Sequence, residues 1–494
     1  MRRQMAVCGL VILLMSPAFA TESEDFEALI SAKSWHPAGL MMFEKANKTS
    51  PNLSFASEMS KAGYSDEALA HAYKKTVGER AYDFLLVAQN AVALPDYKRI
   101  ELLVLAEQDA QGAAKNRWVL GSISAAFLSL GAEIESKQSY ATYMARPNST
   151  ALDYRRLAEA FEELTPAVKV DAWAIDPILE RLATVEPGFD TAFTFQKLSL
   201  LYFRGGNSEK ALSTLERGLQ VAVGIEDQNA RRTAVNSLAE TALVLGNVKL
   251  AEKYGDIRYL IMPLAVHAAR IGDTQKALDI LPKLGANLYV NHRNDAIRTI
   301  IREAVDRHDL VTARRFLQEL PSYMYPLSAL FWLQIADIEK AAGNSRQAEA
   351  ITLAALAPYS ETTLEKKSPH DFSLLYRLAT MLMARGESDK AQMLSNRFDP
   401  FIEAIEPKLA RSYIKPRSLA ADLCGKLHDF VCASQEILEA HEALQQKILA
   451  GSVTAGSSSS NYSLASDYAT LGSALGSISI ASSVGCNQSA NSSD

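Results

Sequence analysis

Residues 195–211 read FQKLSLLYFRGGNSEKA, and residues 332–348 read WLQIADIEKAAGNSRQA. In both stretches apolar side chains recur every three or four residues, a Gly-Asn pair follows, and an alanine stands five residues after that glycine. Spacings of three and four place side chains on one face of a helix. Glycine tolerates the left-handed conformation that ends a helix, and asparagine caps the next one. Each stretch therefore predicts a hairpin of two antiparallel helices.

The same turn pattern recurs along the chain as glycine or histidine, usually followed by Asn or Asp, with alanine five positions after the first residue. Six copies begin at Gly206, Gly246, Gly272, His308, Gly343 and Gly386, and weaker copies begin at Gly63 and His428. Repeated hairpins bury a continuous core by stacking on their neighbours. The sequence therefore predicts an all-α fold, an α-solenoid of antiparallel helical hairpins.

The residues around these turns resemble the tetratricopeptide-repeat (TPR) family. Its signature is an aromatic residue, then Leu and a small residue, then Tyr, and later Ala, within a helix-turn-helix of 34 residues. The best matches are Phe195, Leu198, Ser199, Tyr202 and Ala211, and Trp332, Ile335, Ala336 and Ala348. Because neighbouring turns from Gly206 onward lie 26 to 43 residues apart, the array is irregular. The resemblance implies a TPR-like array over 191–450, preceded by diverged hairpins over 21–190.

The N-terminus has the features of a signal peptide. Arg2 and Arg3 are followed by the apolar run Ala6–Met15 and by a small-x-small pattern that ends at Ala20. This arrangement predicts a leader over 1–20 with cleavage after Ala20. An uncleaved anchor is the alternative, although the apolar run is short for a membrane span. We expect an exported bacterial protein, periplasmic or secreted, with no transmembrane segment in the mature chain.

The C-terminal stretch 451–494 differs in composition from the rest of the chain. It contains 15 Ser and 5 Gly but no Lys, Arg or Pro. Such a composition offers little apolar surface to offset the entropy of ordering. We therefore expect a flexible, disordered tail. Docking of the mildly apolar segment Leu471–Val484 as a strand or a short helix is the alternative.

The common catalytic and nucleotide-binding motifs are absent from the sequence. It contains no His-Glu-x-x-His, no Gly-x-Ser-x-Gly and no P-loop. Cys424 and His428 have a loose metal-ligand spacing, but zinc would need two more ligands. The net charge of -6 argues against nucleic acid as the main partner, because duplex binding needs a cationic surface. We expect no enzymatic activity, no cofactor and no metal.

Three cysteines follow the predicted leader. Cys424 precedes the last turn and Cys432 follows it, so the two can face each other within disulfide distance across a tight hairpin. A bridge suits an oxidising compartment. The alternative is that both cysteines are small buried apolar side chains. With the bridge formed, Cys486 would be left over and free to pair between chains.

The TPR resemblance also implies a binding surface. In that family, first-helix side chains about ten, nine and six positions before the turn residue line the concave face. The candidates that follow from these offsets are Lys197, Asn236, Arg298 and Arg302. Two guanidinium groups one helical turn apart suit a carboxylate or an acidic peptide. The alternative is a solvated helix face, on which Asp295 and Asp306 balance the two arginines.

These features together predict an exported, non-enzymatic TPR-like scaffold that binds a protein or peptide partner in the cell envelope. One alternative is a subunit of an envelope polysaccharide-export or assembly machine, in which the groove holds other subunits and glycan. The other is a peptidoglycan-acting enzyme of unrecognised type.

Overall fold

A computed structural model describes residues 17–50, 54–112, 117–146, 149–165, 167–284, 290–321, 324–361, 369–396, 414–451 and 458–491. Within these ranges the chain forms 25 α-helices and no strand, which confirms the predicted all-α fold. None of the described helices is both long and apolar enough to cross a membrane.

The helices are short, and most are separated by turns of a few residues. In chain order they are α1 (Pro17–Ser31), α2 (Trp35–Thr49), α3 (Ala56–Lys61), α4 (Ser65–Ala72), α5 (Val77–Asn90), α6 (Asp96–Gly112), α7 (Arg117–Ser129), α8 (Glu133–Met144), α9 (Ala151–Glu162), α10 (Ala172–Leu182), α11 (Phe189–Arg204), α12 (Ser208–Val223), α13 (Gln228–Val244), α14 (Val248–Tyr254), α15 (Ile257–Arg270), α16 (Thr274–Ile280), α17 (Val290–Asp306), α18 (Leu310–Leu317), α19 (Tyr325–Ala341), α20 (Ser345–Glu361), α21 (Pro369–Ala384), α22 (Ser388–Ser395), α23 (Ile414–Lys426), α24 (Phe430–Gly451) and α25 (Ser458–Asn491).

The described residues form two compact units. The first unit takes them from 1–74, 90–93 and 354–494, and the second takes them from 75–89 and 94–353. The division therefore differs from the boundaries at 190 and 450 that composition and repeat quality suggest. Helices from both ends of the described chain belong to the same unit.

The hairpin turns have the backbone conformation that the repeat pattern predicts. All eight turn residues named above have a positive φ: it is 80° at Gly206, for example, and 59° at His308. The following residue caps the next helix in several hairpins; Asn207 Oδ1, for instance, accepts a hydrogen bond from the amide of Lys210 at 3.0 Å. Lys33 and Gly131 also adopt a positive φ. These turns reverse the chain between successive helices.

The second unit is built by stacking hairpins in chain order. The first helices of the hairpins, α9, α11, α13, α15, α17 and α19, each contact the next one in the series. Leu219, Leu238 and Leu260 belong to one continuous apolar core that passes from one hairpin to the next. Ala211 and Ala251, five residues after their turn glycines, are fully buried where the two helices of a hairpin meet. This order of packing makes the second unit an α-solenoid.

The first unit contains α1–α4 and α21–α25. Its last helix, α25, lies against α2, α3, α23 and α24. The expectation of a flexible tail is therefore wrong over the described part of 451–494. Ala465, Leu471, Leu475 and Ile478 are fully buried in this helix.

Small residues explain how a helix of this composition packs. A Cβ atom built on Gly472 would lie 2.9 Å from the ring of Phe43, and one built on Gly476 would collide with the carbonyl oxygen of Ala62. The backbone of α25 therefore approaches its neighbours more closely than larger side chains would permit. Close packing brings many atoms into dispersion contact, which a count of large apolar residues overlooks.

The predicted leader lies mostly outside the described residues. Pro17–Ala20 begins α1, which continues without a break to Ser31. Residues 1–16 are not described, so cleavage after Ala20 stays a prediction.

Candidate functional site

The four residues predicted to bind a peptide all lie on first helices of the second unit. Lys197 on α11 has its Nζ 3.1 Å from Glu162 Oε2 on α9. Arg204 Nη2 lies 3.0 Å from the other oxygen, Oε1, of Glu162. Asn236 on α13 accepts a hydrogen bond from the amide of Asp256, at 2.9 Å, just before α15 begins. These two side chains therefore join neighbouring hairpins of the solenoid.

Arg298 and Arg302 lie one turn apart on α17. Arg298 Nη1 is 3.2 Å from Asp295 Oδ1, an ion pair three residues apart on the same helix. Its Nε is buried and forms no hydrogen bond with any described residue. Arg302 is exposed to solvent. The pairing with Asp295 is the one that a solvated helix face would have, and it leaves Arg302 accessible.

The face that carries these residues also holds polar contacts between α11 and α13. Gln196 Nε2 lies 2.7 Å from Thr241 Oγ1 and 3.0 Å from Ser237 Oγ. The side chain of Glu240 is exposed, yet partial burial by the surrounding helices raises its pKa. The first-helix face thus combines fixed polar contacts with accessible charged groups of both signs.

A cavity in the first unit is a second candidate site. It has a volume of about 520 Å³ and lies between α3, α21, α23 and α25. Hydroxyl groups dominate its polar lining; they belong to Ser54, Ser418, Ser466, Thr470, Ser473 and Ser477. The apolar part of the wall is formed by Phe55, Leu419, Ala469 and Ala474. The volume falls in the usual range for small-molecule sites.

Three polar side chains form a closed cluster at the wall of this cavity. The hydroxyl of Tyr376 donates to Asp422 Oδ2. Lys426 Nζ donates to the same oxygen at 2.7 Å and to the Tyr376 hydroxyl at 3.1 Å. Burial and the charge of Asp422 raise the pKa of Tyr376 far above its usual value. The phenol therefore stays protonated, and the charges of Asp422 and Lys426 neutralise each other.

Two further polar atoms of the cavity residues are unsatisfied. Ser418 is 2% exposed and Asp422 is 6% exposed. Ser418 Oγ and Asp422 Oδ1 are buried and form no hydrogen bond with any described residue. A buried polar atom without a partner costs about 1–3 kcal/mol. Both atoms have almost no accessible surface, so they lie beneath the cavity wall rather than on it.

The cavity residues obey the same spacing rule as the predicted peptide-binding residues. Tyr376 stands ten positions before the turn residue Gly386. Ser418, Leu419 and Asp422 stand ten, nine and six positions before His428. Applying these offsets to the last two hairpins would therefore have identified these four residues from the sequence. The lining residues on α25 can be identified only from the packing of that helix.

The cysteine pair lies in the hairpin of α23 and α24. Cys424 and Cys432, the pair predicted from the sequence, form a disulfide with their Cα atoms 5.8 Å apart. Since the bridge uses its sulfur, Cys424 cannot ligate zinc together with His428. Among the described residues no group of three or more His, Cys, Asp or Glu side chains could hold a metal ion. The side chain of Cys486 lies outside the described residues.

The sequence and the structure were compared with those of known proteins. Neither a protein-family model nor a curated protein matches the sequence. The crystal structure of Ton1535 from Thermococcus onnurineus NA1 aligns over 82% of this chain and 98% of its own, with 13% identity and a TM-score of 0.26. A circular tandem repeat protein with a novel repeat topology aligns over 92% of this chain and 100% of its own, with 13% identity and a TM-score of 0.16.

Proposed function

We propose that the protein is an exported, TPR-like scaffold without enzymatic activity, whose first-helix surfaces bind a protein or peptide partner in the cell envelope. The observation that carries this proposal is the docking of α25. In the first unit this helix packs along α23, which is the first helix of the last hairpin. The residues of α23 at the family's groove offsets, including Ser418 and Asp422, line the cavity that α25 helps to form. Such a surface is therefore suited to hold a helix.

The corresponding face of the second unit offers a charged surface to a partner. Arg302 is exposed there, and within the described ranges the ion pair of Arg298 is with Asp295 of its own helix. An arginine released from a half-buried ion pair within one helix loses little, because pairs in contact with solvent contribute about 0–1 kcal/mol. Both guanidinium groups can then bind a carboxylate with two hydrogen bonds each. An acidic segment of a partner protein is the ligand that this face fits.

Charge reversal tests the proposal. The double variant Arg298→Glu/Arg302→Glu should lose the partners that the wild-type protein captures from a bacterial envelope extract, with its melting temperature unchanged. Arg315→Glu is the matched control, because Arg315 forms a similar helical ion pair with Glu319, at 3.0 Å, on the second helix of the same hairpin. Equal capture by all three proteins would remove this surface from the proposal.

A further inference from the structure

We propose that the cavity of the first unit binds a neutral, hydroxyl-rich small molecule, of the chemical class of a sugar. This site is separate from the peptide surface proposed above. The inference starts from the composition of the lining, in which six hydroxyl side chains accompany one tyrosine, one lysine and two carboxylates. Hydroxyl groups donate and accept hydrogen bonds, so they match a ligand that does both.

The charges of the lining disfavour an ionic ligand. Lys426 Nζ and Asp422 Oδ2 lie 2.7 Å apart, so an anion that approached the ammonium would also meet the carboxylate. A cation that approached Asp422 would meet the ammonium in the same way. Like charges at such distances repel strongly where water is partly excluded. The second carboxylate, Glu58, is exposed, so solvent screens its attraction for a cation, and a neutral ligand avoids both repulsions.

Ser418 supplies a specific contact. Its Oγ is buried and forms no hydrogen bond with any described residue, and a hydroxyl can both donate and accept. Rotation of Ser418 about its Cα–Cβ bond moves this hydroxyl between staggered positions, so that it can reach a ligand group in the cavity. A sugar hydroxyl can pair with it there. Asp422 Oδ1 is buried and is not one of the ligand contacts.

The remaining wall suits the rest of such a ligand. Thr470 Oγ1 donates to the carbonyl oxygen of Ser466 on its own helix, which leaves its lone pairs for a donor in the cavity. Apolar wall from Leu419 and Ala469 can lie against the C–H groups of a sugar ring. The tyrosine of the cluster, Tyr376, keeps its proton and holds Asp422 in place. The cavity therefore presents fixed acceptors beside an apolar floor.

Titration calorimetry with three matched sugars tests the ligand class. Glucose is neutral, glucuronate carries a carboxylate on a similar ring, and glucosamine carries an ammonium. We expect glucose and the larger neutral sugar maltose to bind the full-length protein, and both charged analogues to bind more weakly. No heat with either neutral sugar would overturn the proposal, as would tighter binding of either charged analogue.

The variant Ser418→Ala tests the contact itself. Removing a buried hydroxyl that has no partner in the described part of the chain should leave the melting temperature unchanged or raise it, because the unsatisfied group disappears. The same variant should weaken sugar binding about fivefold, which corresponds to one neutral hydrogen bond. Ser434→Ala is the control, since Ser434 Oγ donates to the carbonyl oxygen of Phe430 on α24 and does not line the cavity. Equal affinities of Ser418→Ala and Ser434→Ala would show that the cavity is not the binding site.

Discussion

His441 on α24 gives a prediction about how stability depends on pH. The centroid of its ring lies 4.2 Å from that of Phe26, and its Nε2 lies 3.0 Å from Nε2 of Gln445. Burial, together with the positive charge of Lys45, lowers the pKa of His441 from 6.5 to about 4. The folded protein therefore keeps this ring neutral over a range in which the unfolded chain protonates it.

The sign and the size of the effect follow from that shift. Because the unfolded chain takes up the proton first, the free energy of unfolding falls as the pH drops below 6.5 and levels off below about 4. One pKa unit corresponds to about 1.4 kcal/mol, so the complete loss is about 3 kcal/mol. Between pH 8 and pH 5 the expected loss is about 2 kcal/mol.

Urea unfolding at pH 8 and pH 5, followed by circular dichroism, measures this loss. The variant His441→Phe keeps an aromatic ring beside Phe26 but cannot be protonated. Wild-type protein should therefore lose about 2 kcal/mol more than His441→Phe between the two pH values. His428→Asn is the control, because His428 is exposed and asparagine tolerates its positive φ of 61°. Its loss should equal that of the wild type.

Equal losses in wild type and His441→Phe would refute this reasoning. A titration of the His441 ring by nuclear magnetic resonance gives a second reading that does not depend on how well the variant folds. A midpoint near 6.5 in the folded protein would contradict the argument as well.

Three further changes probe the first unit. Glu436→Gln should lower the free energy of unfolding by about 3 kcal/mol in urea titrations, because both oxygens of this buried carboxylate lie 2.9 Å from the buried Arg417 Nη1, and the variant removes the negative charge from this pair. Cys432→Ser should cost about 2–3 kcal/mol for a loop closed over a sequence separation of 8, and the same loss should follow reduction of the wild-type protein. Gly476→Ala should make α25 sensitive to limited proteolysis, because its methyl group would collide with the carbonyl oxygen of Ala62; unchanged protection would argue against close packing.

The turn chemistry made the hairpins predictable from sequence. Positive φ values occur at every turn residue that the repeat pattern identified. The pattern missed the turns at Lys33 and Gly131. Lys33 is neither Gly nor His, and Ser136 rather than Ala stands five residues after Gly131. Ala38 and Ser136 are nevertheless small and fully buried, so the small residue after the turn has the same packing role there.

The docking of α25 could not be derived in the same way. Ser and Gly favour turns and flexible segments when they are considered alone. What orders this helix is contact with α2, which lies hundreds of residues earlier in the chain. Composition reports how much apolar area a segment has but not whether a matching surface exists elsewhere. For the same reason, the sequence could not identify the lining residues that α25 contributes to the cavity.

The candidate binding residues illustrate a related limit. The offsets placed Lys197 and Asn236 on the first-helix face, but their partners, Glu162 and Asp256, lie in neighbouring hairpins. Spacing within one helix cannot reveal whether a side chain is already engaged by the next. Pairing of Arg298 with Asp295 was foreseeable, because both residues lie on one helix three positions apart.

The way α25 meets α2 bears on the biogenesis of the protein. Gly472 packs against Phe43, which the ribosome adds 429 residues earlier. The apolar face of α2 consequently stays uncovered throughout most of translation, and contacts so distant in sequence form slowly. The first unit therefore cannot complete its core until α25 has been synthesised.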